Sequence, residues 1–178
     1  LVLHKGRDAF EVPFDAVESY SDGAFLGITT RSDESFDFGL GGVANASDLF
    51  RRLREEVVVR RLVPELLREI AAGEVAELRG GEPSGSEEEG DGAGYTLDAG
   101  GITVVASQRR VAWGDVVECG SAQAVSGSGR RARSVRCVVI RTKTDTIQAA
   151  VEPASDREAM QLVCEALRAK GPGDAAAS

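Results

Sequence analysis

Val12-Pro13-Phe14-Asp15-Ala16-Val17 and Val111-Ala112-Trp113-Gly114-Asp115-Val116 are two versions of one local pattern. In each, a β-branched residue is followed two positions on by an aromatic, and three further on by valine. Each lies among short segments of alternating apolar and polar residues, well ahead of a helical stretch. One element used twice, at the same place in two runs of structure, reads as an internal duplication. The implied order is strands, helix, linker, strands, helix, which is an α+β arrangement.

Around the first copy, Leu1–Leu3, Ala9–Val12, Val17–Tyr20, Phe25–Thr30 and Ser35–Phe38 read as strands. Ser32-Asp33-Glu34 is turn-like. From Ser47 to Ala72 the spacing predicts a helix, with Leu49, Leu53 and Val57 on one face and Asn45 or Ser47 as N-cap. Pro64 either kinks that helix or opens a second one, and Gly73 stops it. Residues 79–94, rich in Gly, Ser and Glu, read as a flexible acidic linker. Around the second copy, Tyr95–Asp98, Ile102–Ala106, Arg110–Trp113 and Val116–Cys119 are strands, with Gly100-Gly101 as a two-residue turn. Gly120–Arg131 reads as a second flexible loop. Val135–Thr142 and Thr146–Val151 then form a hairpin. Ser155-Asp156-Arg157-Glu158 matches a capping box at the start of the last helix, and Gly171-Pro172-Gly173 ends it. The expected units are 1–78, N-terminally incomplete with a long C-terminal helix, a linker at 79–94, a second unit at 95–171, and a loose tail at 172–178.

Composition narrows the chemistry. The 178 residues carry 29 acidic and 21 basic side chains, a net charge of -8, which disfavours nucleic acid as a partner. The aromatics are not interleaved with the arginines as single-strand binding requires. His4 is the sole histidine, and Cys119, Cys137 and Cys164 are far apart. That distribution fits free thiols in a reducing compartment and gives no clustered metal ligands. No Ser or Cys has a recognisable base beside it, no nucleophile elbow or phosphate cradle occurs, and Glu87-Glu88-Glu89 lacks the spacing of a calcium loop. A non-catalytic protein without a cofactor is the expectation. No run of apolar residues is long enough for a membrane span.

The strand-rich units with one following helix and an aromatic-x-x-Val element resemble the bacterial pleckstrin-homology-like (PH-like) fold. Leu53-Arg54-Glu55-Glu56-Val57 through Pro64 to Ala72-Gly73-Glu74 is similar to the helix joining the halves of an uncharacterised bacterial family of tandem domains of this kind. Tyr95 to Ile102 and Val111 to Val116 resemble that family's second half, with Ala112 where the family prefers Pro. The resemblance spans about residues 1–170. It implies two PH-like domains in tandem, each a bent antiparallel sheet capped by a C-terminal helix, the first lacking an opening strand or strands. It carries over no active site.

Charge is uneven. Residues 1–50 hold three Lys or Arg and nine Asp or Glu, whereas residues 101–150 hold eight and three. Two readings follow from this. In the first, the chain is a binding or scaffolding module, cytoplasmic, whose exposed sheet edges recruit a protein partner or a second copy. In the second, Arg109, Arg110, Arg130, Arg131 and Arg133 bind an anionic ligand such as lipid headgroups, at the cytosolic face of a membrane. The basic half has a further natural partner in the acidic half of its own chain. Phe14 and Trp113 read as core anchors rather than ligand platforms.

Overall fold

Alternating apolar residues build strands in both halves of the chain, and the intervening periodicity of three to four builds one long helix. The computed structural model describes residues 1–5, 8–22, 25–39, 45–81, 93–126 and 133–170. It is an α+β structure of antiparallel sheets with a C-terminal helix. The N-terminal unit contains β1 (Val2–Lys5), β2 (Asp8–Glu11), β3 (Val17–Asp22), β4 (Phe25–Thr30) and β5 (Ser35–Gly39). Here β1 pairs with β2, and β3, β4 and β5 form a separate three-stranded sheet. The helical segment follows as α1 (Ala46–Leu53), a π-wound stretch (Arg54–Leu62) and α2 (Val63–Ala71).

Pro64 accounts for the π winding. A proline has no N–H and crowds the carbonyl four residues back, so an ordinary helix is strained there. In the π-wound stretch the Val63 N–H reaches back to the Val58 carbonyl, a wider loop, and Pro64 enters in the first turn of α2. The axis continues through without a break in helical backbone angles. Asn45 precedes α1 in a left-handed conformation (φ 58°) and makes no side-chain cap. Its carbonyl accepts the Asp48 and Leu49 N–H groups instead.

The C-terminal unit contains β6 (Ala76–Gly81), β7 (Ala93–Asp98), β8 (Gly101–Val104), β9 (Arg109–Ala112), β10 (Val116–Ser126), β11 (Arg133–Thr142) and β12 (Thr146–Val151), then α3 (Ala154–Lys170). These seven strands form one sheet in the order β10-β11-β12-β6-β7-β8-β9. The strand β6 starts inside the segment expected to close the first unit and runs into the expected linker. The stretch after Gly120, expected as a loop, extends β10 to Ser126 because β11 pairs with it as far as Arg133. Residues 82–92 and 127–131 of the two expected loops lie outside the described residues, as does the tail from 171. Closure between β12 and β6 depends on Gly80 (φ 151°), since a Cβ there would run into the Ala150 backbone. The tight loop after β7 is Ala99-Gly100, one residue earlier than expected. The Asp98 carboxylate fixes it by accepting the Gly100 and Gly101 N–H groups.

The duplicated element folds the same way twice. Phe14–Ala16 and Trp113–Asp115 are each one 3-10 turn. The preceding residues sit at φ -65°, ψ 149° (Pro13) and φ -73°, ψ 147° (Ala112). The following valines sit at φ -74°, ψ 117° (Val17) and φ -74°, ψ 118° (Val116). Both subsequent strands bulge at the same point, between Val17 and Ser19 and between Val116 and Glu118. The next turn also repeats: the Thr30 hydroxyl accepts the Glu34 N–H, and the Thr142 hydroxyl accepts the Asp145 N–H. Register therefore matches β3, β4 and β5 to β10, β11 and β12, and β1 and β2 to β8 and β9.

Two cores result, and α3 serves both. Met160, Val163, Cys164 and Leu167 join the C-terminal core with Tyr95, Leu97, Ile102 and Ile140. Ala154 and Ala159, on the same helix, join Tyr20, Leu26, Ile28, Leu53 and Val57 in the N-terminal core. Small residues at 154 and 159 allow close helix approach. The expected capping box does not form. Ser155 lies inside α3, and its Oγ accepts the Tyr20 N–H from β3 at 3.3 Å. Glu158 pairs with Arg54 of the π-wound stretch at 3.1 Å. Both polar groups expected to cap the helix are thus used to dock the two units.

Candidate functional site

An edge strand exposes a row of backbone donors and acceptors unless another element covers it. The outer side of β3 is covered by α3 through the Tyr20–Ser155 hydrogen bond. At the start of β10, the Arg168 guanidinium on α3 donates to the Val117 carbonyl. β5 is the outermost strand of its three-stranded sheet, paired to β4. Along β5 the pattern alternates: Ser35, Asp37 and Gly39 are exposed, while Phe36 and Phe38 turn inward. Strand pairing sets Phe36 beside Ile28 and Phe38 beside Leu26. The two rings stack with centroids 6.4 Å apart at an angle of 13°. They remain half-buried, whereas Ile28 and Leu26 are 1% and 0% exposed. On the neighbouring strand β4, Phe25 is 60% exposed opposite Gly39. The candidate site is this outermost strand, backed by an aromatic pair.

The arginines singled out by sequence fall into separate places. Arg109 pairs with Asp145 in the β11–β12 turn. Arg110 donates to both carboxylate oxygens of Asp98, at 2.7 and 2.6 Å, and to the Thr103 hydroxyl. As neighbours on β9 they point to opposite faces. Arg133 lies at the opposite end of β11 from Thr142, about 30 Å along the strand at 3.3 Å per residue. Its side chain, with Arg130 and Arg131, lies outside the described residues. Arg136 pairs with Asp22, and Arg141 with Glu118 at 2.8 Å. Every described arginine of the basic region is thus matched to a carboxylate of the same chain. Two of those carboxylates, Asp22 and Asp98, lie outside the basic region. Sequence reasoning had no signal for these pairings, because they depend on which strands meet.

Beside Phe14 a cleft of about 270 Å³ opens among Arg51, Arg52, Glu55, Glu56 and Arg60. Arg60 bonds Glu56 at 3.0 and 3.1 Å and reaches Glu55 at 3.4 Å, so opposite charges already meet within it. Cys119, on β10, and Cys164, on α3, are free thiols that act on one another. Cys164 and the nearby Arg168 lower the Cys119 pKa, while Cys119 and burial raise that of Cys164. Among the described residues no group of three His, Cys, Asp or Glu is placed to hold a metal ion. Among the described residues no helix is long and apolar enough to cross a membrane.

The Arg110 hydrogen bonds hold the Asp98 carboxyl below the usual carboxylate range. A depressed carboxyl stabilises the fold above its unfolded pKa, and that contribution fades as pH falls through the folded value. Both side chains are partly exposed, so the effect is small. Arg110→Ala is expected to lower the unfolding free energy by roughly 0.5–1 kcal/mol at pH 7. At pH 3 the difference should shrink, as read from urea midpoints of variant and parent.

Comparison of the chain with family models, with curated proteins and with solved structures finds no match.

Proposed function

We propose that this chain is a non-catalytic interaction module of two PH-like units, which binds a protein partner by adding its strand to an exposed sheet edge. The place of β5 at the end of its sheet, with Phe36 and Phe38 half-buried behind it, carries the reading. A strand laid there gains backbone hydrogen bonds along β5 and covers an aromatic surface that is otherwise part-wet. The PH-like assignment is supported by the seven consecutive antiparallel strands and following helix of the C-terminal unit, and by the repetition of five of those strands in the N-terminal unit. An anionic headgroup is the weaker candidate, since Arg109 and Arg110 are engaged by Asp145 and Asp98.

The test sets displayed strand-forming peptides against vesicles, neutral and anionic, at low and high salt. Selected peptides should protect edge-strand amides from hydrogen exchange, with little dependence on ionic strength. Binding confined to anionic vesicles and lost at high salt would replace this reading with the electrostatic one.

A further inference from the structure

Cys119 and Cys164 are far apart in sequence, and the fold brings them to one contact, between β10 and α3. Cα atoms of the two elements come within 8 Å of one another there. The Arg168 guanidinium, which donates to the Val117 carbonyl, pins the end of the helix over the start of the strand. Cys164 precedes Arg168 by four residues, so both lie on one face of α3, about 6 Å apart along its axis. Cys119 follows Val117 by two residues, about 6.6 Å along the strand. The two spacings match, so the helix face that meets Val117 with Arg168 meets Cys119 with Cys164. Each thiol perturbs the other, as that placement requires.

The two thiols differ in access and in charge. Cys164 is 0% exposed inside the C-terminal core, whereas Cys119 packs against that core and is only half-buried. Cys164 and Arg168 favour the Cys119 thiolate, and together they outweigh burial and the carboxylates of Glu165 and Glu118. Cys119 and burial keep Cys164 in its thiol form. A reachable sulfur with thiolate character beside a second thiol can be oxidised first and then resolved by its neighbour. Cys137 is unlike both. It is buried on β11, its Sγ donates to the Ala122 carbonyl at 3.5 Å, and burial raises its pKa.

We propose that Cys119 and Cys164 are a reversible oxidation site for hydroperoxides, which closes to a disulfide between β10 and α3. The Cys119 thiolate attacks one peroxide oxygen and the O–O bond breaks. The sulfur becomes a sulfenic acid, and the peroxide, reduced by two electrons, leaves as water or an alcohol after taking up a proton. The Cys164 thiol then attacks the Cys119 sulfur. The S–S bond forms, the S–O bond breaks, and the hydroxyl leaves as water with the Cys164 proton. The product ties the outermost strand of the seven-stranded sheet to the helix that enters both cores. A thiol reductant reopens it by exchange. The site makes no use of β5 or of a partner strand.

The test treats the reduced full chain with hydrogen peroxide near neutral pH, blocks the remaining thiols with N-ethylmaleimide and maps the peptides by mass spectrometry. The expected product is an internal Cys119–Cys164 disulfide with Cys137 recovered as the alkylated thiol. Dithiothreitol should return all three thiols. Cys119→Ser should leave Cys164 unoxidised, and Cys164→Ser should stop at a Cys119 sulfenic acid that reacts with dimedone. Arg168→Gln should oxidise about threefold more slowly, because a smaller thiolate fraction is offset in part by a more nucleophilic sulfur. The peptide map of the parent chain decides the matter even where a variant folds poorly. Equal oxidation of all three cysteines would overturn the proposal. So would disulfides between chains through Cys119 in place of the internal bond, or a linkage that includes Cys137.

Discussion

Asp22→Ala is expected to lower the unfolding free energy by about 3 kcal/mol, the usual cost of leaving one member of a buried ion pair alone. The Asp22 carboxylate on β3 accepts from Arg157 of α3 at 2.6 Å and from Arg136 of β11. Arg157 is the partner that matters, because its side chain is 7% exposed against 62% for Arg136. Without Asp22 the Arg157 guanidinium keeps only Glu152, at 3.7 Å and itself 63% exposed, among the pairs described. A charge desolvated without a close partner costs far more than a surface pair gains. The pairing also ties the acidic N-terminal unit to the basic C-terminal one, so the loss should fall on the whole molecule. Urea unfolding should remain a single transition, shifted to a lower midpoint. Adding Arg157→Met to Asp22→Ala should recover part of the loss, because the stranded charge is then gone. A loss below 1 kcal/mol for Asp22→Ala would mean that water reaches Arg157 and that the units are not docked through it.

That ion pair marks the limit of what the sequence made legible. Local patterns were readable because their causes are local. The aromatic turn recurs at Phe14 and Trp113 because an extended residue, an aromatic and a valine select one backbone path. The long helix was readable from Leu49, Leu53 and Val57, and Pro64 announced that something changes there. The sharing of α3 was not readable, because nothing in Ala154 or Ala159 says which core a small residue will enter. Ser155 and Glu158 looked like a cap, yet β3 and the π-wound stretch claim both, a tertiary demand overriding a local preference. β6 was hidden in a Gly- and Glu-rich stretch because only Ala76 and Leu78 mark its inner face. The candidate site followed the same division. A surplus of arginines is visible in a sequence, but their partners Asp98, Asp145 and Asp22 are set by strand pairing. The place of β5 at the end of a separate sheet was likewise set by strand pairing.

Trp113→Ala and Phe14→Ala should differ in cost, and the difference measures how closed each unit is. Trp113 is 5% exposed and donates its indole N–H to the Asp98 carbonyl at 2.8 Å, at the end of β7. Its truncation removes a large buried ring and leaves that carbonyl without its partner, an expected loss of about 3–5 kcal/mol. Phe14 occupies the same turn in the N-terminal unit but is only half-buried. Among the described residues no strand stands where β7 stands, and Phe14 makes no counterpart of the Trp113 hydrogen bond. Its truncation should cost about 1–2 kcal/mol, in proportion to the apolar area it hides. Chemical denaturation of the two variants under one condition gives the comparison, with the sole tryptophan as a fluorescence probe in the Phe14 variant. Equal losses would mean that Phe14 packs as fully in its unit as Trp113 does in the duplicate. A gap of about 2 kcal/mol between them would match the difference in burial of the two rings and the hydrogen bond that Trp113 alone makes.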